Sequence, residues 1–169
     1  MRNKFVISDT HFYHCNILKF QDKEGNCFRG SLFNNVEEMN EKIIENWNRV
    51  VTPQDIIYHL GDVYFENIEE VRAIFKRLNG HKRLIVGNHD NIKQIANENW
   101  FQKIQLWRMF KEEKLLFTHV PVHPSALEFH NLINVHGHIH QNLSPEGPYI
   151  NVSVENINYT PVAFEDLKL

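Results

Sequence analysis

An α/β fold built from two stacked sheets is what the chain's apolar pattern predicts, and three observations carry that expectation. In the first half, short β-branched runs alternate with helical spacing in the order strand, helix, strand, helix, strand, which favours parallel pairing. The second half is richer in short strands around a hairpin-like turn, which suggests a second, partly antiparallel sheet packed against the first. Each strand of the first half also ends in polar residues of metal-ligand type, at the sheet edge where α/β folds assemble their sites.

Phe5-Val6-Ile7 is a compact apolar run, read as a buried strand that ends at Ser8-Asp9. Residues 10–34 hold Gly25 and Gly30 without a clean period and read as a long loop, which on a small protein is usually functional. Asn35 followed by Glu38 has the form of an N-cap with its capping-box partner. Val36, Met39, Ile43, Trp47 and Val50 then recur at helical spacing, predicting an amphipathic helix over 36–50 with Trp47 in the core. Thr52-Pro53-Gln54-Asp55 is turn chemistry, and 56–60 is a second buried strand ending at Gly61-Asp62.

A second helix is predicted over 67–79, with Ile68, Val71, Ile74, Phe75 and Leu78 on one face and Gly80 at its C′ position. Leu84-Ile85-Val86 makes a third strand, ending at Gly87-Asn88-His89-Asp90, and a short helix follows near 91–98. Strands are expected at 104–110, 114–118, 132–136 and 149–154, the first two joined by a turn at Lys111-Glu112-Glu113. No linker, repeat or low-complexity stretch divides the 169 residues, so a single domain without a cap domain is expected.

Composition is ordinary for a globular protein, at 42% hydrophobic and 23% charged with a net charge of -3. That balance lacks the basic excess of a nonspecific nucleic-acid binder, and no basic, aromatic-interleaved strip runs along the chain. The apolar run at the N-terminus is too short for a signal peptide and no stretch could span a membrane, so a cytoplasmic location is expected. Cys15 and Cys27 are too few for a disulfide framework and read as reduced thiols. The unusual number is 11 histidines, several of them clustered with other metal-ligand types.

Asp9 and His11 follow the first strand, Asp62 the second, and Asn88 and His89 the third. His119 follows Leu115-Leu116-Phe117, and His138 and His140 follow Ile133-Asn134-Val135. Taken singly, Asp9, Asp62 and Asn88 could equally be turn or cap residues; the ordered series makes them candidates. Carboxylate, imidazole and amide oxygen together suit borderline-to-hard divalent ions, and the absence of cysteine from the series argues against a structural zinc knuckle. Two such ions roughly 3.5–4 Å apart can generate hydroxide and neutralise the charge of a phosphate ester, and a shared carboxylate is a sensible bridge between them.

The series Asp9-x-His11, Gly61-Asp62, Gly87-Asn88-His89-Asp90, His119 and Gly137-His138-x-His140 resembles the calcineurin-like metallophosphoesterases. All five motifs occur, in family order, over residues 9–140. Asp9-Thr10-His11-Phe12-Tyr13-His14-Cys15-Asn16 is similar to the first motif of the small stand-alone bacterial and phage members. The resemblance implies a four-layer β-sandwich, two mixed sheets flanked by helices, with the metals at the C-terminal strand edge. It implies that Asp9, His11 and His140 hold the first metal and Asn88, His119 and His138 the second, with Asp62 bridging. A metal-bridging hydroxide would be the nucleophile and His89 the acid for the leaving oxygen. Two divalent ions are therefore expected, manganese foremost, with iron, zinc or nickel suited to the same ligands.

In one respect the chain departs from a branch of that family. The protein phosphatases continue the second motif as Gly-Asp-x-x-Asp-Arg-Gly, where the Asp supports the catalytic histidine and the Arg grips phosphate. Here the motif runs Gly61-Asp62-Val63-Tyr64-Phe65-Glu66-Asn67, without either. A phosphoserine or phosphothreonine phosphatase is not expected, and if the site grips phosphate with a cation it must come from elsewhere, with Arg29 or His14 of the long loop as candidates.

His123, in the rigid Pro121-Val122-His123-Pro124, is a further candidate for touching substrate. His59 reads as a hydrogen-bonded structural histidine, and His136 as either a residue that orients a ligand or a core histidine. The expected activity is hydrolysis of phosphoesters, with a small phosphodiester or nucleotide-type substrate favoured and monoesters within reach. A nuclease acting on RNA or DNA would use the same metal chemistry but is disfavoured by the charge. A metal-free protein-binding scaffold is disfavoured because none of the seven ligands is missing.

Overall fold

Side-chain alternation along the strands sets the layers. In β1 (Lys4–Ile7) Phe5 and Ile7 face one way and Val6 the other, and in β2 (Ile56–His59) Ile57 and Tyr58 divide likewise. The computed structural model describes residues 2–65 and 68–169; Glu66 of the second motif and Asn67, the expected first residue of the second helix, lie outside that set.

The first sheet adds β3 (His81–Ile85), β4 (Lys103–Gln105) and β9 (Val162–Ala163), in the order β4-β3-β2-β1-β9. Its pairings are parallel, as expected, except that β9 runs antiparallel to β1. The second sheet is β5 (Arg108–Phe110), β6 (Leu115–Phe117), β7 (Ile133–His136) and β8 (Tyr149–Asn151). It opens on the antiparallel β5–β6 hairpin and continues in parallel, so both sheets are mixed.

Between the sheets, Val6, Tyr58 and Ile85 pack against Phe110, Phe117 and Val135. The outer face of the first sheet, with Phe5, Ile7, Ile57 and Leu84, is covered by α1 (Val36–Val50) and α2 (Ile68–Arg77) through Met39, Ile43, Trp47, Val71 and Phe75. Beyond the second sheet, Leu116 and Tyr149 meet Leu127 of the short helix α4 (Ser125–Glu128); α3 (Ile92–Glu98) precedes β4. Each of these side chains gains about 1.5–3 kcal/mol on burial, so a one-residue slip of register would forfeit a whole face. The resulting architecture is α/β, two mixed sheets flanked by helices. Among the described residues no helix is long and apolar enough to cross a membrane.

Several local expectations change. The strand expected over 104–110 is two strands: β4 closes the first sheet, β5 opens the second, and Leu106 and Trp107 turn the corner exposed. No turn former marks the break, since Ile104-Gln105-Leu106-Trp107-Arg108 reads on as a single strand. Asn35 caps α1 by accepting from Glu38 N–H at 2.8 Å, but Glu38 reaches back to Asn34 N–H at 2.9 Å instead of the cap residue itself. The second helix ends at Arg77, and Gly80 serves three residues later at φ +88°, where a Cβ would lie 2.8 Å from Val51. The segment 149–154 leaves the sheet after Asn151 and closes as a 3-10 turn over Val154–Ile157. Helix α4 and strand β9 carried too few residues to show a period.

His59 ends β2 in the core, 1% exposed, with Nε2 2.9 Å from Thr10 Oγ1 and Nδ1 accepting from Gly61 N–H at 3.1 Å. Burial lowers its pKa from about 6.5 to about 3. Between those values the unfolded chain takes up a proton that the folded chain refuses, so stability is lost as pH falls through this window. The slope from this one group reaches about 1.4 kcal/mol per pH unit. Acid titration of the metal-free protein by circular dichroism should show a shallower loss for His59→Gln than for the wild type; equal slopes would remove His59 from the acid response.

Candidate metal centre

Five loops, each leaving the C-terminal end of a strand, bring the expected residues to one edge of the sandwich. After β1 and β7, ligand atoms of Asp9, His11 and His140 lie within 4.8 Å of one another. After β2, β6 and β7, Asp62, His119 and His138 form a second such group. Asn88, after β3, joins it with Oδ1 2.9 Å from His119 Nε2. Asp62 Oδ2 lies between the groups, 3.7 Å from His11 Nε2 and 3.5 Å from His119 Nε2.

These atoms fit a cation better than they fit each other. Asp9 Oδ1 and both ring nitrogens of His11 are buried with no hydrogen-bond partner among the described residues. Asp9 Oδ1 is 3.9 Å from His11 Nε2, too far for a hydrogen bond. An ion about 2.0–2.2 Å from each would touch both. Burial first, then the charge of Arg29, holds the His11 pKa well below its usual value, so the ring is a neutral donor of the kind a metal takes.

One oxygen of each carboxylate is fixed by the chain. Asp9 Oδ2 accepts from His138 N–H at 2.9 Å and from Ser153 Oγ at 3.0 Å, and Asp62 Oδ1 accepts from His89 N–H at 3.0 Å. These approaches require missing side chains. A Cβ on Gly137 would fall 2.1 Å from Asp9 Oδ2, and one on Gly61, already at φ +98°, would fall 2.4 Å from Gly87 N. Asp90 ties the same loops from below, accepting from Val63 N–H at 2.9 Å and from Gly87 N–H at 2.8 Å. Five of the seven candidate ligands adopt positive φ: Asp9 at 57°, His11 at 47°, Asp62 at 55°, His138 at 69° and His140 at 51°. Such residues cost about 1–3 kcal/mol each and persist only where their surroundings over-determine them.

Arg29, expected as a phosphate grip, is instead 1% exposed and turned inward. Its guanidinium donates to the carbonyls of Asp9 at 2.6 Å and Thr10 at 3.1 Å, and to Glu155 Oε1 at 2.8 Å. With no donor left facing solvent it is unavailable to a substrate. Glu155 Oε1 also lies 2.9 Å from His140 Nδ1. Burial opposes its ionisation, yet Arg29 and His140 hold the carboxyl down at about 2.

His14 does reach the rim. Its ring stacks on Phe65 with centroids 3.9 Å apart and lies 5.4 Å from His11. Burial first, then Arg29 and neighbouring histidines, lowers its pKa to about 4, so it stands there as a neutral ring. The exposed His89 packs its ring 5.0 Å from Phe65. His123 belongs to neither ligand group; it is exposed and bonds Ser125 Oγ at 2.9 Å beside α4. His136 is a core residue, fully buried and held by Ser144 Oγ at 2.9 Å.

Glu155, Ser153 and Phe65 were missed by sequence reasoning. Glu155 and Ser153 sit in an unpatterned segment near the end of the chain, and Phe65 reads as one more aromatic. Asp90, the last residue of Gly87-Asn88-His89-Asp90, had a signal in that adjacency.

Comparison with known proteins follows the same outline. The family model described as calcineurin-like phosphoesterase matches residues 5–166. An uncharacterized protein of Methanocaldococcus jannaschii is 38% identical over 174 residues, covering 98% of this chain and 89% of its own length. The gene 66 protein of Mycobacterium phage L5 is 29% identical over 93 residues, 53% of this chain and 41% of the phage protein. Among solved structures, a protein of unknown function from Aquifex aeolicus superposes with a TM-score of 0.72 at 29% identity, covering 99% of this chain and 98% of that one.

The Gly137 contact yields a direct test. Gly137→Ala should displace the Asp9 carboxylate and weaken metal uptake about tenfold or more, with the far-ultraviolet spectrum unchanged. Equilibrium dialysis against manganese measures it; an alanine variant that binds like the wild type would show that the close approach is incidental.

Proposed function

The chain belongs to the calcineurin-like phosphoesterase family, which makes it a metal-dependent phosphoester hydrolase, and from that premise we propose that it cleaves phosphodiesters at a dinuclear centre. Asp9, His11 and His140 would hold one cation and Asn88, His119 and His138 the other, with Asp62 shared. The observation that carries this reading is the position of Asp62 Oδ2, within 3.7 Å of a histidine nitrogen from each group. When bound, the two cations supply the nucleophile and neutralise charge on the phosphoryl group.

The remaining work falls to side chains around them. His89 stands at the open rim next to Asn88, and its own N–H already positions Asp62, so the ring is placed to give a proton to the leaving oxygen. Phe65 packs against that ring where the protein-phosphatase branch carries an aspartate. His14, neutral and stacked on Phe65, offers a hydrogen bond at the rim but no fixed positive charge. Since Arg29 is spent inside the protein, no arginine from the long loop meets the phosphate. A site with that balance suits the single charge of a diester better than the double charge of a monoester. Manganese fits the mixed nitrogen and oxygen ligands.

The direct test is metal analysis followed by turnover of bis(4-nitrophenyl) phosphate against 4-nitrophenyl phosphate with added manganese. The diester should be the better substrate; a strong monoester preference would overturn the choice of class. Chelation should abolish turnover while circular dichroism stays native, because the hydrophobic layers do not depend on the ions. Asp62→Asn should remove most activity and loosen at least one ion, since the shared charge holds two cations together. Retention of two tightly bound ions with normal turnover would dispose of the bridge.

For His89→Ala the expectation is a contrast between leaving groups. Both ions should remain, and alkyl esters should lose about 10²–10⁴-fold in rate, while nitrophenyl esters, whose leaving group needs little help, lose far less. Equal losses on both classes would assign His89 to positioning or charge stabilisation instead.

A further inference from the structure

Two residues that touch neither candidate cation reach two of the three members of the first ligand group. Arg29 comes from the long loop and Glu155 from the 3-10 turn over Val154–Ile157, 126 residues apart, and they meet as a buried ion pair at 2.8 Å. From this pair the guanidinium grips the carbonyls of Asp9 and Thr10, on the corner where Asp9 and His11 both hold positive φ. The carboxylate takes His140 Nδ1 at 2.9 Å, which leaves Nε2 as that ring's ligand atom. We propose that Arg29 and Glu155 are positioning residues for the first metal, an inference that rests on the dinuclear reading above.

The physical case is one of over-determination. His140 is held in its left-handed conformation by Asn151 Nδ2 and Asn156 Nδ2, which both donate to its carbonyl, at 2.7 and 2.6 Å. Those bonds fix the backbone and leave the ring free to turn about its own torsions. Glu155 removes that freedom: a carboxylate on the distal nitrogen sets the tautomer, aims the ring and makes it a stronger donor to a metal. Arg29 in turn pairs with Glu155 at 2.8 Å and fixes the orientation of the carboxylate towards His140; its other oxygen is buried with no partner among the described residues. A buried ion pair returns little net stability after desolvation, so stability alone is a weak account of this one. Its directed bonds onto Asp9 and His140 are a better one.

The experiment is a calorimetric titration of the metal-free protein with manganese, with cobalt absorption spectra as a second readout and the melting temperature in chelator recorded separately. Glu155→Gln should weaken the first site about 10–100-fold and leave the second close to wild type. Nitrogen-15 spectra should show the Nδ1-protonated tautomer of His140 in the wild type and a mixture in Glu155→Ala. Arg29→Met alone would strand a buried carboxylate, so the double variant Arg29→Met/Glu155→Gln, which leaves no unpaired charge, is the second test. It should fold and show the same first-site loss. A folded Glu155→Gln or double variant that binds both ions like the wild type, differing only in melting temperature, would overturn the proposal. A wild type that takes up only one ion would overturn the dinuclear reading itself.

Discussion

Two backbone amides do most to organise the edge of this sandwich: His138 N–H on Asp9 and His89 N–H on Asp62. Each fixes one oxygen of a carboxylate and leaves the other directed into the site. For an amide to come that close, the residue before it in the loop after β7 must lack a side chain, and the loops after β2 and β3 must touch at Gly61 and Gly87. The strained backbone at Asp9, Asp62 and His138 is the geometric cost of aiming side chain and amide at one point. The layers beneath are what can bear it. Strands buried on both faces do not yield when their end loops are strained.

Much of this was legible in the sequence, and for a stated reason in each case. β1, β2 and α1 announce themselves because burial on a face imposes a period on apolar residues. The seven candidate ligands could be read because each follows such a strand, so that the chain order of motifs maps onto neighbouring loops. The split of 104–110 could not be read, since the exposed Leu106 and Trp107 look like a continuing strand. Nor could the cap of α1 be read to the atom, because Asn35 accepts from the Glu38 N–H while the Glu38 carboxylate is taken by Asn34.

Arg29 shows a second kind of limit. An arginine in a glycine-bearing loop near a phosphate site invites the reading that it grips the substrate. What decides otherwise is Glu155, more than a hundred residues away, whose carboxylate offers a buried partner. Long-range pairing of charge leaves no local pattern, so the sequence can propose the arginine's importance but not its direction. The long loop accordingly serves the site from behind through Arg29 and from the rim through His14.

The aromatic at position 65 connects this arrangement to the choice of ester. Where the related branch sets an aspartate behind its histidine, Phe65 lies against His89, His14 and His11 and contributes no charge. An aspartate there would add negative charge facing an anionic substrate and would call for a cation to offset it. With Phe65 in place and Arg29 withdrawn, the rim beside His89 presents an apolar ring and no arginine of the long loop. The aromatic at position 65 and the inward turn of Arg29 act on the same rim, and the proposed preference for a phosphate that carries two organic groups rests on them together.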